Sequence, residues 1–268
     1  MFSKDISRPG LGGRLSLILL AALASPVVFW TARAVETVAS IPAGTVLPVR
    51  LNDSLDVSMA HVGQVVEARI AQEVPLPGKE KIELRTRLLG SVVAVGKGAD
   101  GTGARVTIRF TQLDDKKEQI AVATSLRAMA SYLGVRAAQL PAGRGGDGGT
   151  PSGWSDTVQI GGDIRYGDGG KVRNLQKQTV GKGVRGGVLV QLNANPAQGC
   201  EGSQPGDRPQ ALWVFSADAC GVYDLKDVRI AHTGKTDPVG DITLEFTKND
   251  AKLESGTAFL LRTVTKPK

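Results

Sequence analysis

Two distant stretches of the chain carry nearly the same ten-residue phrase, and this constrains the fold more than any other feature. Ile41-Pro42-Ala43-Gly44-Thr45-Val46-Leu47-Pro48-Val49-Arg50 aligns without gaps with Leu253-Glu254-Ser255-Gly256-Thr257-Ala258-Phe259-Leu260-Leu261-Arg262. Each runs from an apolar residue through Gly-Thr into apolar positions and ends on Arg. Glycine accepts a backbone bend that other residues resist, and the threonine after it favours extended chain, so the pair is a strand-entry device. A degenerate third copy is Ile82 to Leu89, with Arg85 in place of the glycine. Two readings stand. Such turns can recur by chance in a β protein, or the first and last strands are equivalent elements that neighbour each other where one sheet closes on itself.

The rest of the chain reads in the same terms. Leu47, Val49 and Leu51 alternate with Val46, Pro48 and Arg50, and Val66, Ala68 and Ile70 alternate with Glu67 and Arg69. Leu88 to Val95 is nearly continuous in apolar character. Val106, Ile108 and Phe110 then oppose Arg105, Thr107, Arg109 and Thr111. Period-two alternation of this kind is the mark of half-buried strands. The run from 41 to 126 predicts an antiparallel meander. Ser125 to Gln139 fits a short helix and an irregular segment equally well. Ala211 to Phe215 predicts a strand, with Trp213 and Phe215 anchoring a small core. Asp241 to Thr247 and Lys252 to Thr263 predict a closing hairpin around Lys248-Asn249-Asp250.

Glycine numbers 34 among 268 residues, nearly twice the usual share of about 7%, which argues against a helical bundle. Much of it falls in Pro141 to Gly153 and Gly161 to Gly170, both turn-forming. The expected fold is therefore all-β. It comprises an antiparallel β-barrel-like domain over 36–140, completed by 238–268, and a Gly-rich inserted β/loop region over 141–237.

Residues 1–34 read as a signal peptide. Lys4, Arg8 and Arg14 precede the apolar stretch Leu15 to Trp30, and Ala32-Arg33-Ala34 predicts cleavage before Val35. Sixteen residues are short for a spanning helix, which needs about 20. The alternative keeps 15–30 as an inner-membrane anchor. Cleavage would remove Lys4, Asp5, Arg8, Arg14 and Arg33, lowering the net charge from +7 to +4. That surplus is ordinary for the length and points to no nucleic-acid partner. In an oxidising compartment, periplasmic or at the cell surface, Cys200 and Cys220 are expected to form one disulfide.

The chemistry-bearing patterns are sparse. Gly234-Lys235-Thr236 resembles the end of a phosphate-binding loop, but Arg229 stands where its first glycine belongs. Gly153-Trp154-Ser155-Asp156-Thr157 has Thr157 where a nucleophile elbow has its last glycine. Asp163 and Asp168 lie among glycines, where they can cap turns or contribute to a Ca²⁺ site. The reading is of a protein that is no enzyme and holds no metal or cofactor. One run remains: Lys171, Arg173, Lys177, Lys182 and Arg185 lie within 15 residues with no acid among them. It is either a solvated loop or a surface for anionic lipid or glycan, with Trp154, Tyr166 and Trp213 available for stacking or for the core.

The segments IPAGTVLPVRLNDSL, VGQVVEARIAQEVPLP and LLGSVVAV together resemble TrbI-like proteins. In that pattern an I-P-A-G-T strand and a P-G-x-V-x-A-x-V strand precede a third, whose Pro and Gly are here Glu83 and Arg85. TrbI-like proteins form β-barrel domains in the outer ring of conjugal transfer and type IV secretion machinery. The layout that includes QALWVFSADACGVY and SGTAFLLR is similar to a group of exported acidobacterial-type proteins. These readings imply an exported, non-catalytic envelope scaffold or protein-interaction module, acting on another envelope protein or by self-association. The alternative is a binding module for an anionic ligand or glycan.

Overall fold

The computed structural model describes residues 41–98, 101–115, 118–140, 156–167, 169–196, 200, 208–236 and 238–265. The expected signal peptide and Trp154 lie outside the described residues. The principal strands are β1 (Val46–Leu51), β2 (Val65–Ile70), β3 (Arg87–Gly96), β4 (Ala104–Asp114) and β5 (Thr124–Ala130), followed by helix α1 (Tyr132–Gln139). Then come β6 (Asp156–Val158), β7 (Ile164–Tyr166), β8 (Lys171–Arg173), β9 (Thr179–Val184), β10 (Gly187–Val190) and β11 (Gln210–Ala211). The last four are β12 (Gly221–Tyr223), β13 (Val228–Ile230), β14 (Asp241–Phe246) and β15 (Ala258–Thr263).

The fold is all-β and barrel-like. One ten-stranded sheet runs β12-β5-β15-β1-β2-β3-β4-β14-β13, with Gln119–Ala121 pairing off β4. Its pairs are antiparallel except β12 with β5. The sheet nearly closes: just past β13, the Gly234 N–H donates to Leu126 O of β5 at 2.8 Å. β1 lies antiparallel beside β15, with Val46 opposite Arg262 and Arg50 opposite Ala258. The two phrases that echo in the sequence are thus adjacent ribbons.

Their Gly-Thr steps build the same turn. Gly44 and Gly256 both have φ of +86°. Thr45 and Thr257 each return Oγ1 at 2.7 Å to the carbonyl three residues back, on Pro42 and Glu254. A positive φ at the third turn position is what a type II turn requires. Arg85 does the same without a glycine: φ is +70°, and Thr86 N–H donates to Glu83 O at 3.2 Å. Gly63, at φ +88°, opens β2 in the same way, with Gln64 N–H on His61 O.

The barrel interior holds Leu47, Val49, Leu51, Val66, Ala68, Ile70, Leu88, Ile108, Phe110, Leu244 and Phe259. A second core lies against the outside of β1, β5 and β15, where Val46, Ala128, Ala130, Ala258 and Leu260 meet Val172, Val188, Val190, Leu212 and Phe215. Val172, Val188 and Val190 come from a six-stranded sheet, β6 through β11 in chain order, and Leu212 and Phe215 from the turn that follows β11. These three barrel strands are largely buried on both faces, so most of their outward positions are small or apolar. The inserted residues cover that surface.

The structure overturns three expectations. Residues 241–263 form no hairpin: β14 pairs with β4 and β13, while Lys252–Leu253 pairs with Leu55–Asp56 and β15 pairs with β1 and β5. The cause is side-chain matching. Asp241, Thr243 and Glu245 of β14 stand opposite Arg109, Thr107 and Arg105 of β4. The carboxylates pair with the arginines at 2.5 and 2.7 Å, and the two hydroxyls meet at 3.0 Å. Second, the large sheet takes β12 and β13 from the stretch expected to be insertion. Third, β11 ends at Ala211: Phe215 N–H closes a turn onto Leu212 O and Trp213 has φ of +53°, while Phe215 keeps an isolated parallel bridge to Ile160 and both aromatics are buried as expected. The segment left open, Ser125 to Gln139, divides into the end of β5 and the short helix α1, whose N-cap Ser131 accepts from Gly134 N–H at 3.0 Å.

Candidate functional site

One assembly of polar side chains fixes the second sheet to the barrel, and another is presented by the second sheet itself. The first centres on Arg127, 1% exposed. In β5, Leu126 and Ala128 pair with the consecutive residues Leu261 and Leu260, so Arg127 is the extra residue of a β-bulge. A bulge re-aims a side chain, and this one turns away from the barrel interior. Its Nε donates to Ala219 O at 2.9 Å, and its Nη2 donates to Asn193 O at 2.9 Å and Ala217 O at 3.3 Å. Burial pushes the guanidinium down to about 10, with Arg262 adding to the effect, so it remains charged at neutral pH. Buried charge is tolerated because backbone carbonyls replace water as its acceptors.

The disulfide lies in the same place. Cys200 and Cys220 are bonded, with Cα atoms 5.7 Å apart, and Cys200 Sγ lies 3.5 Å from Arg127 O. Asp163, 2% exposed, accepts the Ala217 N–H at 2.7 Å. Burial raises its carboxyl to about 6 despite that bond. Burial also raises the Tyr223 hydroxyl, which accepts from Cys220 N–H at 3.1 Å. On the other side Gln72 Nε2 donates to Val188 O, while its Oε1 accepts from Val188 and Trp213 N–H groups. Gln210 Oε1 accepts from Val46 N–H at 3.1 Å. None of Arg127, Gln72 or Gln210 was singled out from the sequence. The available signal was a polar residue inside an apolar run, as in Leu126-Arg127-Ala128-Met129.

The second assembly is the outer face of the six-stranded sheet. Residues directly opposite in an antiparallel pair share a face, as do residues two apart. Asp156 faces Tyr166, Ile164 faces Arg173, and Lys171 faces Lys182. Asp156, Tyr166, Lys171, Arg173 and Lys182 therefore lie on one face, with Asp156 at its β6 edge, and the Arg173 guanidinium sits 5.7 Å from the Tyr166 ring centroid. Val172, Val188 and Val190 point the other way, into the second core. Lys177 is brought to a different place, the exposed tip between β8 and β9 with φ of +64°, and Arg185 sits in the turn between β9 and β10. Trp213 is in the core, so of the three aromatics expected to stack, only Tyr166 is on this surface among the described residues. No carboxylate among the described residues pairs with Lys171, Arg173, Lys177, Lys182 or Arg185 within 4.0 Å.

Other sequence patterns resolve into turns. Lys235 N–H closes onto His232 O at 3.0 Å, and His61 is exposed with Nδ1 3.3 Å from Met59 O. Among the described residues no group of three or more His, Cys, Asp and Glu is gathered for a metal ion, and no helix is long and apolar enough to cross a membrane. Comparison with family models, curated proteins and solved structures found no match.

Proposed function

We propose that the protein is an exported, non-catalytic binding module of the periplasm or cell surface, and that the outer face of the six-stranded sheet takes an anionic lipid or glycan. The observation that carries this reading is the Lys171–Lys182 pair. Like charges directly opposite each other in a sheet are destabilising, and among the described residues no carboxylate pairs with either lysine within 4.0 Å. An anionic ligand lying across β8 and β9 turns that repulsion into two favourable contacts. Tyr166 and Arg173 extend the same surface with one ring and one guanidinium. The basic leader and the disulfide support export, since disulfides persist in oxidising compartments. Arg127, Gln72 and Gln210 support a rigid platform, which limits the entropy lost on binding.

The test is substitution rather than deletion, because removing 141–187 would take Val172 out of the second core. A variant with Lys171, Arg173, Lys177, Lys182 and Arg185 all changed to Gln is compared with the parent chain. Vesicles of anionic or neutral lipid form one arm, and immobilised phosphorylated or neutral glycan forms the other. The parent is expected to bind one anionic member at least tenfold more tightly than the variant does. Equal binding by both chains overturns the reading.

A second reading, an envelope scaffold or protein-interaction module, is favoured by Met59, Val62 and Val65. They are 71%, 62% and 72% exposed, within the stretch that resembles TrbI-like proteins. Crosslinking in cells followed by mass spectrometry separates the two: the glutamine variant keeps its protein neighbours on the scaffold reading.

A further inference from the structure

On the opposite side of β6 and β7 from the cationic face lies a cavity of about 260 Å³, just under the roughly 300 Å³ at which pockets for drug-sized ligands begin. Thr157, Gln159, Arg165, Gly187 and Trp213 contribute to its wall. Gln159 is 3% exposed, and its Oε1 has no hydrogen-bond partner. Its backbone is fixed on both sides, the N–H donating to Asp163 O at 2.7 Å and the carbonyl accepting from Gly162 at 3.0 Å. Buried polar atoms are nearly always paired, which singles out an orphaned acceptor on a residue that lines a cavity.

The wall is also charged and held in place. The Arg165 guanidinium is oriented by Nη2 donating to Thr157 Oγ1 at 3.2 Å, and its stem lies over Gly183. Trp213 sits in the left-handed region at φ +53°, a conformation that persists only where its surroundings impose it. Here Gln72 imposes it, by accepting the Trp213 N–H at 2.7 Å and the Val188 N–H at 3.2 Å. A Cβ on Gly187 would stand 2.9 Å from the Trp213 backbone and 2.1 Å from Gln72 Oε1, so a larger residue here would displace that bonding.

We infer that this cavity binds a small carboxylate carrying an N–H on the adjoining carbon, as in an N-acylated amino acid or the C-terminal residue of a peptide. The carboxylate faces Arg165, the N–H donates to Gln159 Oε1, and the apolar remainder lies against Trp213. This goes beyond the binding face proposed above and uses none of its lysines.

Calorimetric titration of the full, disulfide-bonded chain tests it with N-acetylalanine, acetyl-alanyl-alanine and propionate. The two acyl amino acids are expected to bind at least tenfold more tightly than propionate, which lacks the N–H. Tighter binding of the dipeptide assigns a peptide terminus as the source, and equal or weaker binding assigns the free acid. Arg165→Gln and Gln159→Leu are each expected to weaken N-acetylalanine at least tenfold. Gln159→Leu also removes the orphaned acceptor, so its thermal midpoint is expected to be no lower than the parent's, which distinguishes lost recognition from lost fold. Combined Lys171→Gln and Lys182→Gln substitution is expected to leave this binding unchanged. The inference is overturned by the absence of heat with every probe, by affinity that neither wall variant changes, or by affinity lost in the lysine variant.

Discussion

Gly44 and Gly256 occupy matching positions at opposite ends of the β1–β15 ribbon. Gly44 N–H donates to Thr263 O at 2.8 Å, and Gly256 N–H donates to Leu51 O at 2.9 Å. Each glycine launches one strand while its N–H meets the end of the other, so the two phrases are related by a local two-fold arrangement. The third copy repeats the bonding one strand pair away, with Arg85 N–H on Ile70 O at 2.8 Å and Ile70 N–H on Thr86 O at 2.9 Å.

Arg85 holds a left-handed backbone that glycine adopts without strain, at about 1 kcal/mol for a side-chain-bearing residue. It is exposed and makes no ion pair within 4.0 Å among the described residues. Arg85→Gly is therefore expected to stabilise the protein by about 0.5–1 kcal/mol. Gly256→Ala acts in the opposite sense, because a Cβ there also meets the Tyr132 ring at 2.7 Å. Urea unfolding of both variants beside the parent checks the pair of signs.

Arg127 supplies donors to carbonyls of three residues that have left the barrel. Arg127→Met keeps much of the volume and leaves those carbonyls buried without their donor. A loss of about 3 kcal/mol or more is expected, since each unsatisfied buried group costs about 1–3 kcal/mol. The denaturation midpoint is the readout, and a fall below 1 kcal/mol would show that water replaces the guanidinium.

The Cys200–Cys220 bond closes a loop with a sequence separation of 20. Restricting the unfolded chain over such a loop contributes about 3 kcal/mol. Replacing both cysteines with Ser is expected to lower stability by about that amount. Intact-mass measurement of the parent under reduction should show a gain of two hydrogens; two free thiols before reduction would count against the bond.

Asp163 gives stability a pH dependence of known sign. Its carboxyl is raised in the folded state to about 6, from an ordinary value of 3.8. The folded chain therefore holds a proton that the unfolded chain has lost between those values, and stability falls as pH rises from about 4 to about 6. The whole effect is of order 3 kcal/mol, complete above pH 6. Asp163→Asn keeps an acceptor for the Ala217 N–H and has nothing to ionise. Subtracting its stability-versus-pH profile from the parent's should isolate this descent, while Asp56, Asp227 and Glu245, whose carboxyls are lowered, contribute equally to both chains.

Lys182→Gln removes the repulsion with Lys171 and is expected to stabilise the free protein by a few tenths of a kcal/mol at low salt. The same change should weaken adhesion to anionic vesicles or glycan. Opposite movement of the thermal midpoint and the bound fraction is the signature of a surface kept cationic for binding; parallel movement is not expected.

The amino-acid sequence by itself determined the strands of the barrel. β2 and β4 stand where alternation puts them, the Gly-Thr phrases open β1 and β15, and the third phrase marks the turn into β3. These features are local, because alternation and turn chemistry act over a few residues. The matched Arg105-x-Thr107-x-Arg109 and Asp241-x-Thr243-x-Glu245 patterns were also legible and contradict a terminal hairpin, though only when read as a pair across 132 residues. The cationic run was visible as composition. That Tyr166, Lys171, Arg173 and Lys182 share one face, while Lys177 and Arg185 do not, follows from pairing register. Tertiary structure alone decided the rest. Arg127 is buried because a bulge in β5 turns it outward under the chain that runs from β10 to β12, and Gln159 lines a cavity with residues of α1, the turn before β10 and Trp213, all distant in sequence. Such positions are set by which surfaces meet, and the free energy of burial is realised only when distant parts of the chain pack together.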